Sequence, residues 1–265
     1  MNNLTRQFIN IFKRLFKYRS INSYICNLKS LFCYVNWVKD FLIFFVLNLK
    51  SKYPNNILIR SYKKKLKLLV WDHYDRMTVN EIFCWQCYED RDNSPKVILD
   101  LGGNIGLSAK YFLNKNSKNK VYVFEPNKSL DKFFYSQLSE YSDERYFLDQ
   151  RAIGTEEGKV ELINKHHSRY GSIQYDLPNS NISAISISNA IRECINKFGK
   201  CDAIKIDIEG YGFLALNKID LKFPHKPSII FMEEEYDKKL KLDWLKKNYS
   251  FSKNSSGIYV FKLIK

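Results

Sequence analysis

Val97-Ile98-Leu99-Asp100-Leu101-Gly102-Gly103-Asn104-Ile105-Gly106 is the stretch that decides the fold. Val-Ile-Leu favours a buried strand, Asp100 stands near its end, and the glycines let the chain turn sharply and let a ligand approach the backbone. Helical spacing resumes in Leu107-Ser108-Ala109-Lys110-Tyr111-Phe112, so the amino end of a helix is expected to face that ligand. Taken alone, the glycines suit an ordinary strand-to-helix turn of an α/β core equally well.

Glycine spacing separates two cofactor classes. A dinucleotide fingerprint needs Gly-x-Gly-x-x-Gly. Counting from Gly102 it meets Asn104 and Leu107, and counting from Gly103 it meets Ile105 and Ser108, so hydride-transfer cofactors are disfavoured. Asp100, Gly102 and Gly106 instead form Asp-x-Gly-x-x-x-Gly, which suits a cofactor with an amino-acid tail needing amide donors and a carboxylate partner. S-adenosyl-L-methionine has such a tail. Val121-Tyr122-Val123-Phe124-Glu125-Pro126-Asn127 is a second apolar strand ending in an acid, and Glu125 lies about twenty residues past the glycine loop, the spacing of a ribose-binding carboxylate. Pro126 stops the strand, and Asn127 or Ser129 can cap the next helix.

Two further strands carry acids at their ends. In Asp202-Ala203-Ile204-Lys205-Ile206-Asp207-Ile208-Glu209-Gly210, alternation puts Lys205, Asp207 and Glu209 on one face. Charges there are costly unless they pair with each other or meet a ligand, so both an active site and a Lys205–Asp207 ion pair fit. Ser228-Ile229-Ile230-Phe231-Met232-Glu233-Glu234-Glu235 is the fourth such run, and four strands then aim acids at one rim.

These motifs, in this order, resemble the FkbM-type S-adenosylmethionine-dependent methyltransferases of the class I fold. Asp100-Leu-Gly-Gly-Asn-Ile-Gly106 is similar to the family's Asp-x-Gly-Ala-Asn-x-Gly, with Gly103 in place of alanine. Phe124-Glu125-Pro126-Asn127, Lys205-Ile-Asp207-Ile-Glu209-Gly210 and the Pro227 to Glu233 strand match its later motifs, and Asp75 to Tyr88 resembles the segment before the first. The resemblance spans roughly residues 70 to 262. Where the family often has a second glutamate, two residues beyond Glu209-Gly210, this chain has Gly212.

The fold this implies is α/β: a three-layer, Rossmann-like class I methyltransferase with a seven-stranded, mostly parallel sheet and a closing antiparallel hairpin, preceded by a helical amino-terminal extension. Residues 1–55 are expected to form that basic, amphipathic extension and residues 56–265 the methyltransferase domain. The implied cofactor is S-adenosyl-L-methionine, held by Asp100, Gly102, Gly103, Asn104, Gly106, Glu125, Pro126, Asn127, Asp149 and Asp207, with Asp149 or Gln150 near the adenine amino group. Lys205, Asp207, Glu209 and His167 are the candidate catalytic residues, and no metal is expected. His167 belongs to the loop His166-His167-Ser168-Arg169-Tyr170-Gly171-Ser172, a candidate for acceptor binding or proton removal. A hydroxyl is the implied acceptor, on a sugar, glycan or secondary metabolite. A cofactor-binding module without chemistry and a nucleic-acid or protein acceptor are the alternatives.

Composition narrows the partners. The 265 residues carry 43 Lys and Arg against 28 acids, a net charge of +15, a surplus compatible with nucleic acid or membrane. Lysine is spread through the loops, and no (Asn/Asp/Ser)-Pro-Pro-(Tyr/Phe) follows Asp207, so nucleic acid is disfavoured. Leu4, Phe8, Ile11, Phe12, Leu15 and Phe16 recur at helical spacing beside Arg6, Lys13, Arg14, Lys17 and Arg19. That face suits peripheral membrane contact through residues 1–30, or packing on protein. Asn36, Lys39 and Asp40 interrupt the apolar run Leu31 to Leu49, which reads as a core or interfacial helix. Cys84-Trp-Gln-Cys87 has no matching second pair, so buried thiols in a cytoplasmic protein are expected.

Overall fold

The computed structural model describes residues 30, 32–40, 53–62, 64–92, 94, 96–164, 171–219, 226–233, 243–254 and 256–264. The helical face Leu4 to Phe16 and the loop residues His166 and His167 lie outside this set, as does most of the run Leu31 to Leu49. Two compact units are present, Met1–Cys87 and Tyr88–Lys265.

In the first unit, β1 (Asn55–Ser61) and β2 (Lys64–Val70) form an antiparallel hairpin. Alternation buries Ile57 and Ile59 on one strand and Leu66, Leu68 and Val70 on the other, the period-2 pattern of a sheet with one covered face. Helix α1 (His73–Val79) starts with a capping box, in which the Asp72 side chain accepts from Asp75 N while Asp75 accepts from Asp72 N, and runs on into a π-helical turn, Asn80–Cys84. Cys84 and Cys87 are buried thiols. Among the described residues no helix is long and apolar enough to cross a membrane.

The second unit holds β3 (Val97–Leu101), α2 (Leu107–Lys115), β4 (Lys120–Phe124), α3 (Asp131–Leu138) and β5 (Tyr146–Asp149). The short strands β6 (Ala152–Gly154), β7 (Gly158–Asn164), β8 (Gly171–Tyr175) and β9 (Ile182–Ser186) follow. Then come α4 (Ile187–Phe198), β10 (Ala203–Ile206), α5 (Gly212–Asn217), β11 (Ile229–Met232), α6 (Asp243–Asn248), β12 (Tyr249–Lys253) and β13 (Tyr259–Leu263). The main sheet has seven strands in the order β12-β13-β11-β10-β3-β4-β5, and only β13 runs against its neighbours. This is the expected class I methyltransferase arrangement with its closing hairpin. Leu99, Val123 and Ile204 are fully buried, each side chain contributing roughly 1.5–3 kcal/mol by leaving water. Helix α4 turns Ile187, Ala190, Ile191 and Cys194 inward, opens on a Ser186 cap and closes on Gly199 at φ +84°.

A second sheet, which the sequence pattern does not predict, has the order β6-β9-β7-β8 and its own small core of Ala152, Val160, Ile173 and Ala184.

Register sets the site. Leu101 pairs with Ile206 on one side and Phe124 on the other, Phe124 with Asp149, and Ile206 with Met232. One residue further on, Glu233, Asp207, Gly102, Glu125 and Gln150 therefore stand side by side along the carboxyl edge of the parallel strands, the edge where open α/β sheets bind ligands.

Candidate functional site

Asp207 and Gly102 are joined by a buried charge knot. Lys205, 2 % exposed, places Nζ 3.1 Å from Asp100 Oδ1 and 3.3 Å from Asp207 Oδ2, and donates to the Gly102 carbonyl at 2.6 Å. Asp100 is completely buried and its Oδ2 accepts from Ser108 Oγ at 2.6 Å. Burial pushes the Asp100 carboxyl pKa above its ordinary value, against the pull of Lys205 and Ser108. Burial alone would lower that of Lys205, but Asp100 and Asp207 reverse the effect and raise it. Asp207 is likewise pushed up by burial, yet Lys205, Glu233 and Tyr88 together hold it below the usual range. Lys205 and Asp207 thus form the ion pair that the sequence allowed. Lys205 and Asp100 lie beneath the cleft and not on its wall.

The glycines are accounted for by the protein's own packing. Gly102, at φ +84°, backs onto Asp207, whose carbonyl oxygen would be 1.9 Å from an added Cβ. At Gly103 a Cβ would fall 2.1 Å from Val123 Cγ1, which is why the alanine of the family motif has no room here. Gly106, also at φ +84°, caps α2 beside the Phe134 ring. The loop amides are engaged as well: Gly102 N and Gly103 N donate to Phe124 O, Asn104 N to Glu125 Oε2 at 2.8 Å, and Gly106 N to Gly103 O. Glu125 Oε1 accepts from Asn127 N at 3.0 Å, so this carboxylate ties the two loops together at the rim. Burial raises its pKa despite those amides.

Above this frame lies an open cleft. One wall carries Gly102, Asn104, Glu125, Asn127, Asp207 and Glu209; the other carries Ala152, Ile153, Leu162, Ile173 and Tyr211, mostly from the second sheet. Pro126 lines the same space. Seven of the predicted site residues are therefore brought together. Gly103 and Gly106 support the loop from behind, and His167 is outside the described residues. Gly212 is buried at the start of α5.

Asp149 faces a neighbouring hollow with Asn127, Lys128, Ser129 and Gln150, and its carboxylate is gripped by Arg151 Nε and Nη2 and by Tyr122 Oη. Hydrogen bonding to Asp149 raises the Arg151 pKa in turn. Sequence reasoning missed Arg151 and the apolar wall. An i, i+2 pair on an extended segment was the available signal for Arg151, while nothing local announces a wall assembled by pairing β7 with β8 and β9.

Among curated proteins no relative matches. The solved structure of methyltransferase FkbM from Methylobacillus flagellatus KT is similar at 15 % identity over 69 % of this chain, with a TM-score of 0.46; the chain spans 47 % of that protein. An rRNA methylase from Streptococcus thermophilus is similar at 8 % identity over 64 % of this chain and 88 % of its own, with a TM-score of 0.35. A precorrin-6y C5,15-methyltransferase from Geobacter metallireducens GS-15 is similar at 12 % identity over 77 % of this chain and 93 % of its own, with a TM-score of 0.36. The family described as the methyltransferase FkbM domain matches residues 100–251, from the buried Asp100 to the closing hairpin, and the chain belongs to that family.

Proposed function

We propose that this chain binds S-adenosyl-L-methionine and methylates a hydroxyl group of a sugar, glycan or secondary metabolite. The observation that carries this reading is the pair of acids, Glu125 and Asp207, flanking Gly102 in one cleft. The donor set fits the cofactor: a rim carboxylate for a ribose diol, amide side chains of Asn104 and Asn127 beside it, and an apolar wall for flat or aliphatic surface. When bound, the cofactor supplies a methyl group already activated on a sulfonium. Glu125 would hold the ribose hydroxyls with the lone pairs its two amide donors leave free. Asp207 and the exposed Glu209 stand where an acceptor hydroxyl can be oriented. Lys205 acts on Asp207 and the Gly102 carbonyl, so we assign it a positioning role.

Titration calorimetry with S-adenosyl-L-methionine tests the reading first. Saturable binding by the parent chain and its loss in Glu125→Ala are expected; no binding by a folded parent refutes it. Transfer of labelled methyl to a panel of glycosides and phenols then separates catalysis from binding alone. A cytoplasmic location with peripheral membrane contact through residues 1–30 is part of the same proposal. Liposome partition that is unchanged by deleting those residues would exclude the contact.

A further inference from the structure

Lysines occur in loops throughout the chain, but the net charge is concentrated. Residues 1–71 hold 14 of the 43 Lys and Arg and one of the 28 acids, Asp40, so this stretch carries +13 of the net +15. Asp40 is itself buried, 3.9 Å from Arg76. The β1–β2 hairpin shows where part of the charge goes. Burying Ile57, Ile59, Leu66 and Leu68 on one face turns Arg60, Lys65 and Lys67 to the other, with Lys64 exposed at the hairpin end. Arg60 and Lys65 are direct cross-strand partners, a like-charge pair that destabilises a hairpin unless an anion offsets it. Among the described residues, none of these four cations is ion-paired. Arg60 also joins the hairpin to a neighbouring segment: its Nη1 donates to Phe32 O at 3.2 Å and to Tyr34 O at 2.8 Å, while Val35 N donates to Leu58 O at 2.9 Å. That segment carries Phe32 at 78 %, Trp37 at 47 % and Val38 at 52 % exposure, three of the nine large hydrophobic side chains exposed among the described residues. Exposed apolar side chains and unpaired cations are thus contiguous within the amino-terminal unit.

We propose that this surface docks on an anionic lipid bilayer, with Phe32, Trp37 and Val38 entering the headgroup boundary and Arg60, Lys64, Lys65 and Lys67 resting against acidic headgroups. Apolar side chains gain by leaving water at that boundary, and tryptophan is favoured there. Long basic side chains reach the headgroups while their methylene stems cover apolar surface. The phosphate backbone of a nucleic acid would satisfy the cations and gain nothing from Val38, whereas a bilayer satisfies both sets. The surface lies outside residues 1–30 and needs nothing of the methyltransferase reading.

Partition of the full chain onto vesicles tests this. Vesicles of phosphatidylcholine and phosphatidylserine in equal parts should bind the parent, and pure phosphatidylcholine should bind it at least about tenfold less. Changing Lys64→Gln, Lys65→Gln and Lys67→Gln together should weaken binding to the mixed vesicles by at least about tenfold, since each cation near such a surface is worth roughly fivefold. All three side chains are exposed, so this variant should melt with the parent. A second readout uses the parent itself. Residues 1–30 contain no tryptophan, so quenching of the parent's fluorescence by brominated acyl chains, lost in Trp37→Phe, reports insertion of Trp37. Binding that is unchanged in the triple variant, or quenching that survives Trp37→Phe, overturns the proposal. Binding that leaves Trp37 unquenched is contact through other residues, such as 1–30, and overturns it too. Capture of polyuridylate without vesicle binding assigns the cations to RNA and has the same result. Failure of the parent to bind S-adenosyl-L-methionine refutes the methyltransferase reading and leaves this surface untouched.

Discussion

Lys205→Met is the most demanding test of the buried knot. Methionine keeps the length and much of the volume of lysine but removes the ammonium that faces Asp100 at 3.1 Å, Asp207 at 3.3 Å and the Gly102 carbonyl at 2.6 Å. Asp100, with 0 % exposure, is left with Ser108 alone. Breaking one side of a buried ion pair costs about 3–5 kcal/mol. For a unit the size of residues 88–265 that corresponds to a fall in Tm of about 6–20 °C. The pH dependence has a definite sign. Asp100 takes up a proton more readily in the fold than in the unfolded chain, and losing Lys205 widens that difference. Such a group destabilises the fold fully above its folded pKa, and the cost shrinks as pH falls toward the unfolded value near 3.9. The Tm gap between parent and variant, measured by calorimetry, should be widest at pH 8 and narrow at pH 5. Asp100→Asn combined with Lys205→Met should recover at least half of the loss. A loss below about 1 kcal/mol at pH 8, or a gap that widens on acidification, would refute the reasoning.

The other tests are smaller. Glu125→Ala strands the Asn104 and Asn127 amides and should cost about 1–3 kcal/mol in urea unfolding. Gly103→Ala should destabilise by about 1–3 kcal/mol through contact with Val123, and adding Val123→Ala should restore part of it; thermal melts that show no cost for the single change would contradict the packing argument. Ser186→Ala removes the acceptor for Asn189 N and should cost about 0.5–2 kcal/mol in the same urea assay.

The main sheet was legible because its strands end in a consistent way. Val97 to Leu101, Val121 to Phe124, Ala203 to Ile206 and Ile229 to Met232 are short apolar runs, each with an acid in or just past its last residues. The hairpins Asn55 to Val70 and Tyr249 to Leu263 were equally plain. Depth was not legible. Alternation gives a face, so Lys205 and Asp207 share a side, but it does not say that Lys205 lies under the cleft while Glu209 lies on it. Nor does a glycine disclose its neighbour: the group against Gly102 is the carbonyl of Asp207, more than a hundred residues along the chain. Asp149 illustrates the same limit, because its proposed ligand role competes with Arg151 two residues away, and only geometry decides who holds the carboxylate.

The two walls of the cleft have different freedom to change. Gly102, Asp207 and Lys205 interlock through backbone as well as side chain, so a substitution at one is felt by the others. Leu162, Ile173 and Tyr211 face them from a separate sheet, or pack on its own small core. On the proposed function, selection for a new acceptor can therefore act on that second wall while the first is held constant. If that function holds, a library randomised at those three positions explores substrate range without spending the stability of the main sheet.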